Sequence, residues 1–183
     1  MSDALKRARP PALTLVLGGA RSGKSRHAER LVLASGLAPV YVATAETLDA
    51  EMAARIAEHR ARRGTRWRTI EEPLDLVGTL RRECDPGHAI LVDCLTLWLT
   101  NLMVAGRPVR PDMARLIELL PSLPGALVLV SNEVGLGVVP TDAMARAFID
   151  YAGWLHESIA EQADVVVFMA AGLPLHLKSP ADR

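Results

Sequence analysis

Gly18, Gly23, Lys24 and Ser25 fall at the spacing G-x-x-x-x-G-K-[ST], within the stretch Gly18-Gly19-Ala20-Arg21-Ser22-Gly23-Lys24-Ser25. The chemistry these residue types support is phosphate capture. Glycines let the backbone curl until successive N–H groups converge on phosphate oxygens, and a following helix adds the positive end of its dipole. The Lys24 ammonium would reach the β- and γ-phosphates, and the Ser25 hydroxyl would complete the shell of a Mg²⁺ ion. The flanks agree. The apolar run Leu13-Thr14-Leu15-Val16-Leu17 precedes the loop, and Arg26 to Ala34 reads as the helix after it.

Other candidates lie just after apolar runs: Thr44, Glu71, Asp93, Asn132 and Glu133. Asp93, closing Ala89-Ile90-Leu91-Val92, has the form of a Walker-B carboxylate that holds Mg²⁺ directly or through water. Its other reading is N-cap of a helix starting near Leu95; the metal role is favoured, because a phosphate loop needs such a partner and no other strand-end Asp competes. Asn132-Glu133, ahead of Val134-Gly135-Leu136-Gly137, reads as a substrate-positioning pair or as a plain turn. His59 lies among Arg55, Arg60, Arg62 and Arg63, at the edge of the apolar face set by Met52 and Ile56. That helix face is either a solvated basic surface, with Glu58 and Arg62 as an i,i+4 pair, or one that faces phosphate. In the second case the guanidinium groups keep His59 neutral and nucleophilic. His27 and His88 read as structural, and His156 and His176 have no partner visible in the sequence.

The elements that must position these residues alternate. Strands are expected at 13–17, 39–44, 67–70, 89–92, 126–130 and 164–169. Helices are expected at 26–34, 49–63, 74–83, 95–104 and 141–162, with a further one after the loop Gly106-Arg107-Pro108-Val109-Arg110-Pro111, capped by Asp112. Continuous Val/Ile/Leu strands between helices predict an α/β fold with a mostly parallel sheet covered on both faces, so ligands belong outside the strand C-terminal ends. The 183 residues fit one domain over 13–178, between a tail at 1–12 that lacks an apolar signal-peptide core and a short tail at 179–183. The 21 basic and 21 acidic side chains cancel, which argues against a nucleic-acid partner, and no apolar run is long enough for a membrane span. Cys84 and Cys94, without CxxC spacing, read as reduced core thiols of a cytoplasmic protein.

Several stretches together resemble the bifunctional adenosylcobinamide kinase / adenosylcobinamide-phosphate guanylyltransferase family of cobalamin biosynthesis. They are residues 18–29, Tyr41-Val42-Ala43-Thr44-Ala45, 49–56, and His59 with the arginines after it. Colinear with them follow Trp67-Arg68-Thr69, Glu71-Glu72-Pro73, Leu95-Thr96, Thr100-Asn101-Leu102, Ser131-Asn132-Glu133-Val134-Gly135 and Val138-Val139-Pro140. The likeness runs from about residue 13 to 178. One departure is Leu155-His156-Glu157, where the family pattern is Leu-Asn-Gln.

The resemblance implies a P-loop NTPase fold of RecA-like type, a homotrimer, and two reactions at one nucleotide site. ATP or GTP phosphorylates the hydroxyl of adenosylcobinamide. GMP from GTP, carried on a histidine matching His59, then passes to that phosphate. The resemblance maps the nucleotide pocket onto Gly18, Gly19, Ala20, Arg21, Ser22, Gly23, Lys24, Ser25, Ala43, Thr44, Ala45, Arg60, Ala61, Arg62, Arg63, Glu71 and Asp93. Lys24 joins His59 in catalysis, and Ser25 and Asp93 hold Mg²⁺. Two other readings fit the phosphate loop alone: a small-molecule kinase without guanylyl transfer, and a nucleotide-binding regulator that moves the loop 106–112.

Overall fold

The computed structural model of the chain describes residues 12–46 and 64–179. The expected helix 49–63, with His59 and its arginines, lies outside the described residues.

Seven strands form one sheet in the order β3-β2-β4-β5-β1-β6-β7. In chain order they are β1 Leu13–Gly18, β2 Ala38–Ala43, β3 Arg68–Glu71, β4 His88–Asp93, β5 Ala126–Val130, β6 Val165–Ala170 and β7 Leu173–Lys178. All neighbours pair parallel except β6 and β7, which are antiparallel. The five described α-helices are α1 Lys24–Ala34, α2 Leu76–Glu83, α3 Leu95–Val104, α4 Val109–Leu119 and α5 Ala143–Gln162. This is the α/β architecture, with a mostly parallel sheet covered on both faces, that the alternation of elements predicts.

Both faces of the sheet are covered, because each central strand is apolar on both sides. On one face Val16, Tyr41, Leu91, Val128 and Val167 pack against Ala28 and Val32 of α1 and against Trp67. On the other, Leu15, Leu17, Val42, Val92 and Leu129 pack against Leu80, Trp98, Leu102, Leu116, Leu155 and Ile159 from helices α2 to α5. Helix α3 is apolar nearly all round, and the domain buries it centrally: Leu95, Trp98, Leu99 and Leu102 are fully covered within one chain.

Two expectations are corrected. Helix α4 begins at Val109, inside the expected loop, with Pro108 at the N-cap and Pro111 in the first turn, where a missing N–H costs nothing. Asp112 therefore does not cap it. Its buried carboxylate pairs with Arg107 at 3.0 Å and Arg115 at 3.1 Å. The chain also continues past β6 into β7, which the sequence reading omits. Pro174 and the alternating Leu173, Leu175 and Leu177 mark an edge strand, and all three leucines are exposed.

Candidate nucleotide-phosphate site

Strand β1 ends at Gly18 and α1 begins at Lys24, so the phosphate loop spans the C-terminal end of the sheet between β5 and β6. Three backbone angles there are left-handed: Gly18 (φ 146), Arg21 (φ 55) and Gly23 (φ 94). Gly18 also has no room for a side chain. A Cβ would run into the Met169 carbonyl oxygen and approach Ser22 Oγ to 2.9 Å. The loop is tied at both shoulders: Glu133 N–H donates to the Gly18 carbonyl and Gly172 N–H to the Ser22 carbonyl, each at 3.0 Å.

Lys24 is buried, and its Nζ donates to the Gly19 carbonyl at 2.6 Å, so its ammonium lies under the loop. Burial lowers its pKa, while the fields of Cys94 and Asp93 oppose that shift. Ser22 Oγ is buried and meets no hydrogen-bond partner among the described residues. A lone buried hydroxyl costs about 1–3 kcal/mol, and an oxyanion in the loop would remove that cost.

Other expected residues gather on one row of the sheet. Ala43 is in register with Glu71 on one side and Asp93 on the other, and Asp93 with Val130. Thr44 and Ala45 follow directly, and the Thr44 side chain is fully buried. Asp93 does not cap α3. That position belongs to Cys94, with no side-chain cap, while Asp93 Oδ2 accepts from Tyr41 Oη at 3.0 Å. The remaining expected residues, His59, Arg60, Ala61, Arg62 and Arg63, lie outside the described ones.

Behind the loop runs a buried polar belt that the sequence reading does not assemble. Asn101 Nδ2 donates to the Thr44 carbonyl at 2.7 Å and to the Pro73 carbonyl at 3.1 Å. Thr44 Oγ1 accepts from Cys94 N–H at 2.8 Å and donates to the Cys94 carbonyl at 2.7 Å. Cys94 Sγ lies 3.1 Å from Thr96 Oγ1, which accepts from Asn132 Nδ2 at 2.9 Å. Next along β5, Ser131 Oγ lies 2.7 Å from His156 Nε2. Asn132 thus engages Thr96 through its side-chain amide nitrogen. A lone amide within the apolar run of α3 was the signal available for Asn101. His156 offered only its departure from the family pattern, because its partner is distant in sequence.

The family described as cobinamide kinase / cobinamide phosphate guanyltransferase matches residues 14–177. A bifunctional adenosylcobalamin biosynthesis protein, CobP of Pseudomonas aeruginosa, is 60% identical over 166 residues, covering 90% of this chain and 96% of its own. The bifunctional adenosylcobalamin biosynthesis protein CobU of Salmonella typhimurium is 39% identical, covering 91% and 99%. Among solved structures, a Pyrococcus horikoshii OT3 protein aligns with TM-score 0.52 at 12% identity, over 92% of this chain and 86% of that one. An ATPase from the type III secretion system of pathogenic bacteria aligns with TM-score 0.51 at 11% identity, over 90% and 56%. At such identities these two likenesses concern the fold alone.

Proposed function

The chain belongs to the cobinamide kinase / cobinamide phosphate guanyltransferase family, and we propose that both of its transferase reactions run at the phosphate loop 18–25. Membership makes it a bifunctional enzyme of adenosylcobinamide processing and sets aside the non-enzymatic regulator. The observation that carries the siting is the loop itself, with left-handed Gly23 leading into α1, Lys24 beneath it, and the orphaned Ser22 hydroxyl.

In the kinase step the acceptor's hydroxyl oxygen attacks the γ-phosphorus of ATP or GTP. The bond to the nucleoside diphosphate breaks and the hydroxyl proton is released. Loop N–H groups and Lys24 hold the phosphate oxygens as charge shifts toward the leaving group. In the guanylyl step a nitrogen of His59 attacks the α-phosphorus of GTP and pyrophosphate leaves. An oxygen of the acceptor phosphate then displaces the imidazole, giving adenosylcobinamide-GDP and free His59. Arg60, Arg62 and Arg63 would hold phosphate charge near His59. Ala43, Thr44, Ala45, Ala61 and Glu71 would line the nucleotide.

Ser25 and Asp93 supply oxygen donors suited to Mg²⁺, a cation that takes few protein ligands and keeps its waters. Among the described residues no cluster of His, Cys, Asp and Glu competes for a metal. When bound, the ion would neutralise developing phosphate charge. We expect a homotrimer, supported by the exposed leucines on edge strand β7, with the catalytic unit at 13–178. Two free buried thiols agree with a cytoplasmic setting, and no described helix is long and apolar enough to cross a membrane.

Incubation with α-labelled GTP and Mg²⁺, without acceptor, tests the covalent step. The wild type should take up label in an acid-labile, alkali-stable bond. His59→Asn should take up none, while keeping γ-phosphoryl transfer to cobinamide. Label on His59→Asn, or at another residue of the wild type, would overturn the assignment.

A further inference from the structure

His156 interrupts an apolar helix stripe. It lies on α5 beside Leu155 and one turn from Ala152 and Ile159, all fully buried, and is itself only 7% exposed. An imidazole in such a slot persists only with a hydrogen-bond partner, which Ser131 Oγ provides at 2.7 Å. Ser131 continues β5 beyond its last ladder residue: its N–H donates to the Val16 carbonyl at 3.0 Å. Two residues on, Glu133 N–H holds the Gly18 carbonyl. Gly18 is itself closely walled: a Cβ there would run into the Met169 carbonyl oxygen and Ser22 Oγ. A mechanical chain thus joins α5 to the first glycine of the phosphate loop.

We propose that His156 is a positioning residue for both transferase steps: through Ser131 it fixes the segment Ser131–Glu133, and with it the Gly18 shoulder of the phosphate loop. The inference rests on the reading that nucleotide phosphates bind at 18–25.

His156 does this as a neutral imidazole. Burial lowers its pKa, and the Glu133 carboxylate opposes that shift. Strands β1, β5 and β6 and helix α3 bring no charged side chain to the slot. From α4, Arg110 stacks on Trp154, Asp112 is held between Arg107 and Arg115, and Glu118 is exposed. On α5 itself Asp150, Glu157 and Glu161 face solvent, and Arg146 is engaged by the Pro140 and Thr141 carbonyls. Glu133 is therefore the carboxylate whose field reaches the ring. Protonation puts a cation among Leu155 and Ile159 whichever nitrogen takes the proton.

Steady-state kcat and KM for both steps, measured against pH in the wild type, His156→Ala and His156→Asn, test this. His156→Ala should lower kcat in both steps by about tenfold, as expected for a small displacement of phosphate-binding groups, with the KM for cobinamide unchanged. His156→Asn can still bond Ser131 but cannot titrate. It should recover most of kcat at neutral pH and, in the kinase step, where His59 is not a nucleophile, lose the acid-side fall of the wild type, whose midpoint should lie below the ordinary histidine value. Wild-type kcat in His156→Ala, or an unchanged acid limb of the kinase step in His156→Asn, would overturn the proposal. If His156→Ala fails to fold, the Asn profile alone decides. Lys24→Ala serves as the separate check: full activity there would sink the phosphate-loop reading, whereas wild-type behaviour confined to the His156 variants sinks only the positioning role.

Discussion

The phosphate loop and the polar belt behind it occupy the same strand ends and use their polar groups in opposite ways. The loop is eight consecutive residues, strained into left-handed turns, with a buried hydroxyl at Ser22 that has no protein partner among the described residues. The belt is gathered from Thr44, Cys94, Thr96, Asn101, Ser131 and His156, and its polar side chains meet each other or the backbone. An unsatisfied buried donor set is a place for a ligand, whereas a satisfied one is scaffold. The difference predicts that damage to the loop appears in catalysis and damage to the belt in stability, except at the Ser131–His156 link, which reaches the Gly18 shoulder of the loop through Glu133.

Lys24→Ala should give the largest effect. It removes the cation under the loop, so kcat/KM of both half-reactions should fall by about 10²–10³-fold, equivalent to ~3–4 kcal/mol of transition-state stabilisation. The fall should come with little change in the urea midpoint. A stability loss larger than the catalytic loss would erase the contrast between the two regions.

Asn101→Leu should behave in the reverse sense. The Thr44 and Pro73 carbonyls would lose their donor in a buried site, at about 1–3 kcal/mol of unfolding free energy. Urea unfolding reads that value directly. If the variant unfolds like the wild type but loses kinase activity, the amide belongs to the site and not to its support.

How far each region could be read from sequence follows from the same contrast. The loop is local: glycines, lysine and serine at fixed spacing carry their own geometry, and Gly18, Lys24 and Ser25 stand where the motif places them. Asp93 was equally local, and its cap role fell only because the chain turns one residue later, at Cys94. The belt is non-local. Thr44 and Asn101 are 57 residues apart, and Ser131 and His156 are 25 apart. No periodicity announces such a pairing. Strand β7 escaped because Pro174 interrupts it, and helix α4 began early because two prolines suit a first turn as well as a loop.

Thr96→Ser sharpens the belt on a finer scale. It keeps the hydroxyl that serves Asn132 and Cys94 and deletes one buried methyl, so it should cost about 1 kcal/mol or less. Thr96→Val keeps the volume and deletes the hydroxyl, and should cost more, about 1–3 kcal/mol. Equal losses from the two would show that shape, not hydrogen bonding, sets the belt.

Cys94 should show the smallest response, and the argument runs against its position. It follows the candidate metal-binding Asp93 and feels the Lys24 ammonium, features that elsewhere activate a thiol. Here burial raises its pKa to about 11, the Asp93 carboxylate adds to that, and the Thr96 hydrogen bond, the Leu97 N–H and Lys24 only moderate it. At pH 8 the thiolate is then about one part in a thousand, before access is counted. Cys84 is also buried, with its pKa raised first by burial. Native protein at pH 8 should therefore react with neither thiol on the timescale that labels a free cysteine, and both should react once urea unfolds the chain. Rapid labelling of Cys94 in the folded enzyme would mean that the belt opens. The satisfied network would then be as mobile as the loop it supports, and the division between site and scaffold would fail at the residue that joins them.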